Sequence, residues 1–312
     1  MTNKNVLVAG GAGFLGSHLV ESLVADGNNV TVIDNLCTST VDNIKHISDI
    51  EFINQDICSI SYLNHQKRYH EIWNLACPAS PPLYQKDPLF TLDTNYLGTR
   101  NLLRLACEHD AKFFQASTSE VYGDPEVHPQ PESYRGNVDP TSIRSCYDEG
   151  KRIAETLCVE YSRMHKVETR IVRIFNTYGP RLSDSDGRVV SNFISQALSN
   201  DPITIYGDGK QTRSFCYVDD LIRGFRLLMD SDANAEPVNL GNPSEFSILE
   251  LAEIVLELTE SKSKIVFKDL PKDDPKQRKP NITKAKLLLD WQPQIDLRQG
   301  LNRMINFARQ AR

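Results

Sequence analysis

The chain opens with "NVLVAGGAGFLGSHLVESLVADGNNVTVID", and the spacing of its apolar positions changes twice within that stretch. Val6 to Ala9 form a short unbroken apolar run, the pattern of a strand covered on both faces. Leu15, Leu19, Leu23 and Val24 then recur at helical spacing, Gly27 supplies a stop, and Val30 to Ile33 form a second run. The alternation continues through "IEFINQDI" (to Ile57), "EIWNLACP" (to Cys77), "KFFQAS" (to Ser117) and "TRIVRIFN" (to Asn176), with a helix predicted over Gly98 to Glu108. Strands alternating with helices predict an α/β fold, a Rossmann-type doubly wound parallel sheet.

After Asn176 the turns "YGP", "SDSDG" and "YGDG" break the rhythm and predict a smaller C-terminal lobe. "VDDLIRGFRLLMD" reads as an amphipathic helix and "EPVNLGN" as a short strand, both returning to the large domain. "SILELAEIVLELT" and "ITKAKLLLDW" supply two more helices. The polar stretch "SKSKIVFKDLPKDDPKQRKP" separates them as a strand and a long loop.

Between the first run and the first helix stand Gly10, Gly13 and Gly16. A turn there needs positive φ, the backbone must come close to a pyrophosphate, and the helix must pack tightly on the strand. The helix N-terminus then turns free N–H groups towards phosphate. Asp34 ends the second run, where a carboxylate accepts from a ribose 2′-OH and repels a 2′-phosphate, which favours NAD over NADP. Strand, glycine turn, helix, strand and acid stand in the order that a dinucleotide site requires.

Composition narrows the classes further. Hydrophobic content of 40% and charged content of 24% describe an ordinary globular chain. A net charge of −6 offers no basic footprint, so no nucleic-acid partner is expected. Seven scattered cysteines, without CxxC or Cys/His clusters, point to reduced thiols, a cytoplasmic setting and no metal site. No apolar run approaches ~18 residues, so no membrane span is expected. The N-terminus enters a strand almost at once and leaves no room for a signal peptide.

Candidate chemistry gathers in "FFQASTSEVYG", where an apolar run breaks into Ser117, Thr118, Ser119 and Glu120 at the end of a predicted strand. Further on, "SCYDEGKR" places Tyr147 and Lys151 four residues apart, on one face of a helix. A second YxxxK, Tyr206 with Lys210, lies in a glycine turn and does not present both side chains on a helix. A tyrosine titrates near ~10. An adjacent ammonium and a positive nicotinamide favour the phenolate. Thr118, Tyr147 and Lys151 thus make a proton-abstracting set for oxidising a carbon that bears OH.

On these residues the chain resembles the extended short-chain dehydrogenase/reductase family, which acts on nucleotide sugars. "STSEVYGDPEVHPQ", "CYDEGKR", "RIFNTYGPR", "DGRVVSNFI", "YGDGKQTRSF", "VNLGNP" and "QRKP" are similar to its UDP-glucuronate decarboxylase branch, and the likeness runs from about residue 5 to about 308. The resemblance implies NAD as cofactor and a UDP-sugar acid as substrate, oxidised at C4, decarboxylated at C5 and reduced again. UDP-glucuronate would yield UDP-xylose. It implies catalytic roles for Thr118, Ser119, Glu120, Tyr147, Lys151 and Arg278, with Arg278 reaching towards the same carbon as Glu120. Cofactor contacts are expected from Gly10, Gly13, Phe14, Leu15, Gly16, Asp34, Asn35, Thr38, Asp56, Ile57, Leu75, Ala76, Cys77, Thr94, Ala116, Tyr147 and Lys151. Substrate contacts are expected from Ala79, Tyr84, Thr118, Arg144, Asn176, Arg188, Tyr206, Arg213 and Arg278. Residues 1–176 with about 214–242 form the expected NAD-binding domain, and 177–213 with 243–312 the UDP-sugar-binding lobe.

The resemblance further implies a homodimer paired through the helices near residues 96–109 and 146–165. Departures from the pattern are Asn74 where relatives carry His, Ala9 where Thr is common, and Thr141-Ser142-Ile143 where Gly and Pro are usual. Cys77 reads as a small core or pocket residue, not a nucleophile. The same machinery on another UDP-sugar acid such as a UDP-N-acetylhexosaminuronate, release of a 4-keto pentose, C4 epimerisation, 4,6-dehydration, and ligand binding without turnover remain alternatives at this point.

Overall fold

The computed structural model describes residues 3–60, 67–183, 186–269 and 278–310. Its strands are β1 (Asn5–Ala9), β2 (Asn29–Asp34), β3 (Ile50–Asn54), β4 (Glu71–Asn74), β5 (Lys112–Thr118), β6 (Thr169–Ile174), β7 (Thr177–Tyr178), β8 (Ile203–Tyr206), β9 (Thr212–Ser214), β10 (Cys216–Tyr217), β11 (Pro237–Leu240), β12 (Glu245–Ser247) and β13 (Ile265–Lys268). The helices are α1 (Phe14–Ala25), α2 (Pro81–Tyr84), α3 (Pro88–Asp93), α4 (Thr99–His109), α5 (Ser145–His165), α6 (Val189–Ser199), α7 (Val218–Asp230), α8 (Ile248–Thr259), α9 (Thr283–Leu289) and α10 (Leu297–Gln310).

Seven strands form one sheet in the order β11-β6-β5-β4-β1-β2-β3. β1 runs parallel to both neighbours, with Val8 opposite Val32 of β2 and Trp73 of β4. β2 with β3, and β4 with β5, are parallel too. From β1 the chain builds outward to β3, then returns to lay β4 on the other flank. That reversal opens a crevice beyond the carboxyl ends of β1 and β4, where doubly wound sheets bind their ligands. The predicted strands "IEFINQDI" and "EIWNLACP" stop sooner than their apolar runs, at Asn54 and Asn74. Beyond them the backbone turns into the crevice, as a 3-10 turn over Ile57–Ser59 in the first case.

Both faces of the sheet are covered, which is why its strands read as continuous apolar runs. One face carries Leu7, Ile33, Ile72 and Phe113 against Leu102, Leu103 and Ala106 of α4 and Cys158 of α5. On the other, Trp73, Phe114 and Phe225 of α7 form an aromatic row with centroids 4.7 and 5.0 Å apart. Each such side chain, wholly out of water, contributes about 1.5–3 kcal/mol.

The chain divides into two compact units. The first holds residues 1–121, 138–173 and 222–238, and the second 122–137, 174–221 and 239–312. The segment 122–137 therefore groups with the second unit, where the strand–helix alternation assigned it to the first. Its ties are polar and distant in sequence. Tyr122 donates from its hydroxyl to Asn239 Oδ1 at 2.8 Å, and Asn239 Nδ2 donates to the Gln130 carbonyl at 3.0 Å. The second unit also contains three two-stranded pairs, β7–β10, β9–β12 and β8–β13. A capping box starts α8, with Ser247 and Glu250 bonded reciprocally. The turn "SDSDG" and the loop after β13 fall partly outside the described residues, at 184–185 and 270–277.

Candidate active site

The glycine turn is shaped for close approach. Gly10 has φ +76°, and a Cβ there would meet the Leu75–Ala76 backbone at 2.7 Å. A Cβ on Gly16 would lie 2.0 Å from the Gly10 carbonyl oxygen, so α1 sits directly on the turn. Gly13 begins α1 without a side-chain cap. The first-turn N–H groups, on Phe14, Leu15 and Gly16, have no intrahelical acceptor by geometry and suit a phosphate.

Beside this turn lies an open cleft of ≈ 490 Å³, counting solvent at its mouth. Gly10, Gly13, Asp34, Asn35, Thr38, Asp56, Ile57, Leu75, Ala76, Cys77 and Thr94 line it. Ser39, Gln55 and Phe90 line it as well. Nothing in their spacing marked them, because a loop hydroxyl or amide such as Ser39 or Gln55 carries no periodic signal and Phe90 lies on the short helix α3. Asp34 is already engaged: it accepts from Ala12 N at 3.0 Å, from Leu36 N at 2.9 Å and from Ser39 Oγ at 2.8 Å. The acid therefore locks the glycine turn to the loop after β2: Oδ1 takes two of these bonds and Oδ2 one, so Oδ2 retains acceptor capacity for a ribose hydroxyl. Asn35 donates to Asp56 at 3.2 Å, which ties the ends of β2 and β3 together. Burial pushes the Cys77 thiol above its ordinary value, with the Lys151 ammonium opposing, so this group is a wall and not a nucleophile.

Tyr147 and Lys151 lie on the first turns of α5, both buried. Lys151 Nζ donates to the Ala116 carbonyl at 3.0 Å and stands 5.7 Å from the Tyr147 ring centroid. The carbonyl that anchors this ammonium is two residues before Thr118, so β5 and α5 fix the proposed base and its partners together. Thr118 Oγ1 accepts from Glu120 N at 3.2 Å and shapes the turn that carries Ser119 and Glu120. Glu120 pairs with Arg144 at 2.5 Å. Tyr84 stacks on Tyr147, and its buried hydroxyl has no hydrogen-bond partner among the described residues. Burial raises the Tyr84 phenol above its usual range despite the Arg144 cation nearby. Ala79 is exposed. Asn74, the departure from His, is buried and donates to Thr99 and to Gln115, each at 3.0 Å, under the crevice floor.

The remaining predicted residues belong to the second unit. Arg278 is buried, and its carbonyl accepts from Ser214 Oγ at 3.5 Å. The backbone beyond it is pinned by Gln130, which receives Lys279 N on Oε1 at 2.9 Å and donates its own N–H to the Lys279 carbonyl at 2.9 Å. Arg213, on β9, donates to the Thr212 carbonyl at 2.8 Å. Asn176 is half-buried and its carbonyl accepts from Cys216 N at 2.9 Å. Arg188 Nε pairs with Asp186 at 2.8 Å. Tyr206 ends β8 with 45% of its surface exposed, and Gly207 and Gly209 after it have positive φ, so the second YxxxK is a turn. Among the described residues no cluster of His, Cys, Asp and Glu could hold a metal ion.

A family model described as "NAD dependent epimerase/dehydratase family" matches residues 6–241. The chain belongs to this family. Its cofactor is NAD, and the tight glycine turn, uncapped helix and acidic strand end fit that group. Among relatives, UDP-glucuronic acid decarboxylase 4 of Arabidopsis thaliana is 53% identical over 308 residues, 98% of this chain and 68% of that protein. A UDP-glucose 4-epimerase of Thermotoga maritima, solved with UDP-glucose, is 30% identical with a TM-score of 0.92, over 98% of this chain and 99% of the other. A UDP-glucuronic acid 4-epimerase of Bacillus cereus, solved with UDP-glucuronic acid and NAD, is 29% identical with a TM-score of 0.89, over 99% of this chain and 100% of the other. The family thus includes both epimerases and decarboxylases, and the doubly wound sheet is shared with its solved members.

Proposed function

We propose that the protein decarboxylates UDP-glucuronate to UDP-xylose through a 4-keto intermediate, with NAD as resident cofactor. The observation that carries this reading is Glu120, a carboxylate two residues after Thr118 and bonded to its hydroxyl through the backbone N–H, in a chain 53% identical to a UDP-glucuronic acid decarboxylase. NAD held at the Gly10–Gly16 turn and Asp34 would supply a reversible hydride acceptor for C4 of the sugar, which would leave the net reaction redox-neutral. Tyr147 takes the C4 hydroxyl proton, Lys151 favours its phenolate, and Thr118 orients the alcohol. A carbonyl at C4 turns the C5 carboxylate into a β-keto acid, whose C–C electrons pass into an enolate as CO2 leaves. Ser119 and Glu120 attend C5, and Arg278 supplies positive charge for the carboxylate or enolate. Arg213, Arg144, Asn176, Arg188 and Tyr206 are assigned to the UDP-sugar. Gly10, Gly13, Gly16 and Asp34, all in the first unit, are assigned to NAD.

Incubation of the purified protein with UDP-glucuronate, with products resolved by NMR, tests the reading. UDP-xylose and CO2 are expected. UDP-galacturonate would show epimerisation instead, a released keto sugar with NADH an oxidative decarboxylase, and unchanged bound substrate a protein without turnover.

The assembly proposed is a homodimer through α4 and α5. Leu89, Tyr96, Ile153 and Met164, on α3, the turn before α4, and α5, are 73, 40, 39 and 71% exposed, apolar side chains that a partner could cover. Light scattering at micromolar concentration should give twice the chain mass. A cytosolic setting is inferred from seven free thiols. Enrichment of the tagged protein in a membrane or secreted fraction would contradict it.

A further inference from the structure

Arg144 stands immediately before α5, and its guanidinium meets Glu120 at 2.5 Å, with the two side chains 17 and 16% exposed. The loop before it is self-capped. Thr141 bonds Asp139 through both N–H and hydroxyl at 2.8 and 2.7 Å, and Ser142 Oγ accepts from Arg144 N at 3.2 Å. The Thr-Ser-Ile departure thus fixes the backbone from which Arg144 reaches. Around the pair lie the buried Tyr84 hydroxyl, which has no hydrogen-bond partner among the described residues, and the carboxylate of Asp148 one turn along α5. One guanidinium therefore faces two carboxylates. Burial works against its charge, but Glu120, Tyr84 and Asp148 outweigh that and hold it above its ordinary value.

A substrate that carries its own carboxylate enters this cluster as a further anion competing for the guanidinium. We propose that Arg144 is a positioning and specificity-determining residue that exchanges partners. In the free protein it holds Glu120. When a sugar acid binds, it turns to the substrate carboxylate and leaves Glu120 free to act at the neighbouring carbon. A nucleotide whose sugar ring bears no carboxylate places no competing anion beside the pair and leaves Glu120 held. The inference rests on the reading that the substrate is a UDP-sugar acid.

The test uses the full-length NAD-loaded protein carrying Tyr147→Phe, to stop turnover, and calorimetry with UDP-glucuronate and with UDP-glucose. Adding Glu120→Gln removes the internal competitor, so UDP-glucuronate should bind about three- to tenfold more tightly, with UDP-glucose changed less than about twofold. Adding Arg144→Gln should weaken UDP-glucuronate by about tenfold or more and spare UDP-glucose, and Arg144→Lys should restore part of the preference. Weaker or unchanged UDP-glucuronate binding in the Glu120→Gln protein would overturn the exchange, because Arg144 would then serve both carboxylates at once or neither. Equal losses for both ligands in the Arg144→Gln protein would also overturn it. Turnover is scored separately on the unmutated protein. Conversion of UDP-glucuronate with flat discrimination ends this inference alone, whereas absence of conversion ends the functional reading beneath it.

Discussion

Tyr147 lies face to face with Tyr84, the ring centroids 5.0 Å apart and the planes 9° from parallel. The stack joins α2 to α5 and restricts the swing of the phenol assigned as base. Its weight is positional, since a misplacement of about 1 Å at a reacting group costs about a hundredfold in rate. Tyr84→Ala should lower kcat by roughly ten- to a hundredfold, and Tyr84→Phe, which keeps the ring, should retain more of it. Equal losses in the two variants, measured at saturating UDP-glucuronate, would show that the hydroxyl matters and the stack does not.

The turn at Gly10 leaves no volume for a methyl group on Gly16, whose Cβ would sit 2.0 Å from backbone oxygen. Gly16→Ala must push α1 off the turn and misdirect its first N–H groups. NAD affinity, read by calorimetry, should fall by about ten- to a hundredfold while the protein stays folded by circular dichroism. Unchanged affinity would contradict the cradle.

On α5, Glu155 receives two hydrogen bonds from Arg173, at 2.9 and 2.7 Å, and one from Ser117 Oγ at 2.5 Å. Both charged side chains are 12% exposed. Glu155→Ala removes the carboxylate while the guanidinium stays out of water, so urea unfolding should show a loss of about 2–4 kcal/mol. A change under about 0.5 kcal/mol, the range of ordinary surface substitutions, would mean that the pair is not a clamp between α5 and β6.

In the second unit, burial disfavours the Glu245 carboxylate, but hydrogen bonds from Lys279 at 3.0 Å and Thr212 at 2.9 Å outweigh it and hold the group below its usual range. A depressed folded value means stability that is complete above the unfolded value of about 4.3 and is lost as pH falls through the folded one. Denaturant unfolding should therefore find wild type more stable than Glu245→Gln at pH 7, with the gap closing as pH falls below about 4. A gap that stays constant to pH 3 would remove this carboxylate from the pH dependence.

Much of the first unit was legible in the chain. β1, α1 and β2 follow from apolar runs and glycine punctuation, because a strand covered on both faces and a helix on its flank each impose their own period. The pairing of Tyr147 with Lys151 was equally plain, since four residues along a helix always return to the same face. Strand ends were less so: Ile57 and Cys77 continue their apolar runs but line the cleft, because a pocket wall and a buried strand use the same residue types.

Sequence alone therefore determined what depends on local period and local chemistry: the doubly wound order, the dinucleotide turn, and the residue types needed to oxidise an alcohol. Tertiary structure decided what depends on partners far along the chain. Residues 122–137 joined the second unit through Asn239 and Gln130, Asp34 closed on Ala12 and Ser39, and Arg144 found Glu120. The physical reason is the same in each case. Apolar burial leaves a periodic trace on the chain that undergoes it, whereas a hydrogen bond or ion pair satisfies two groups whose separation in sequence follows no rule.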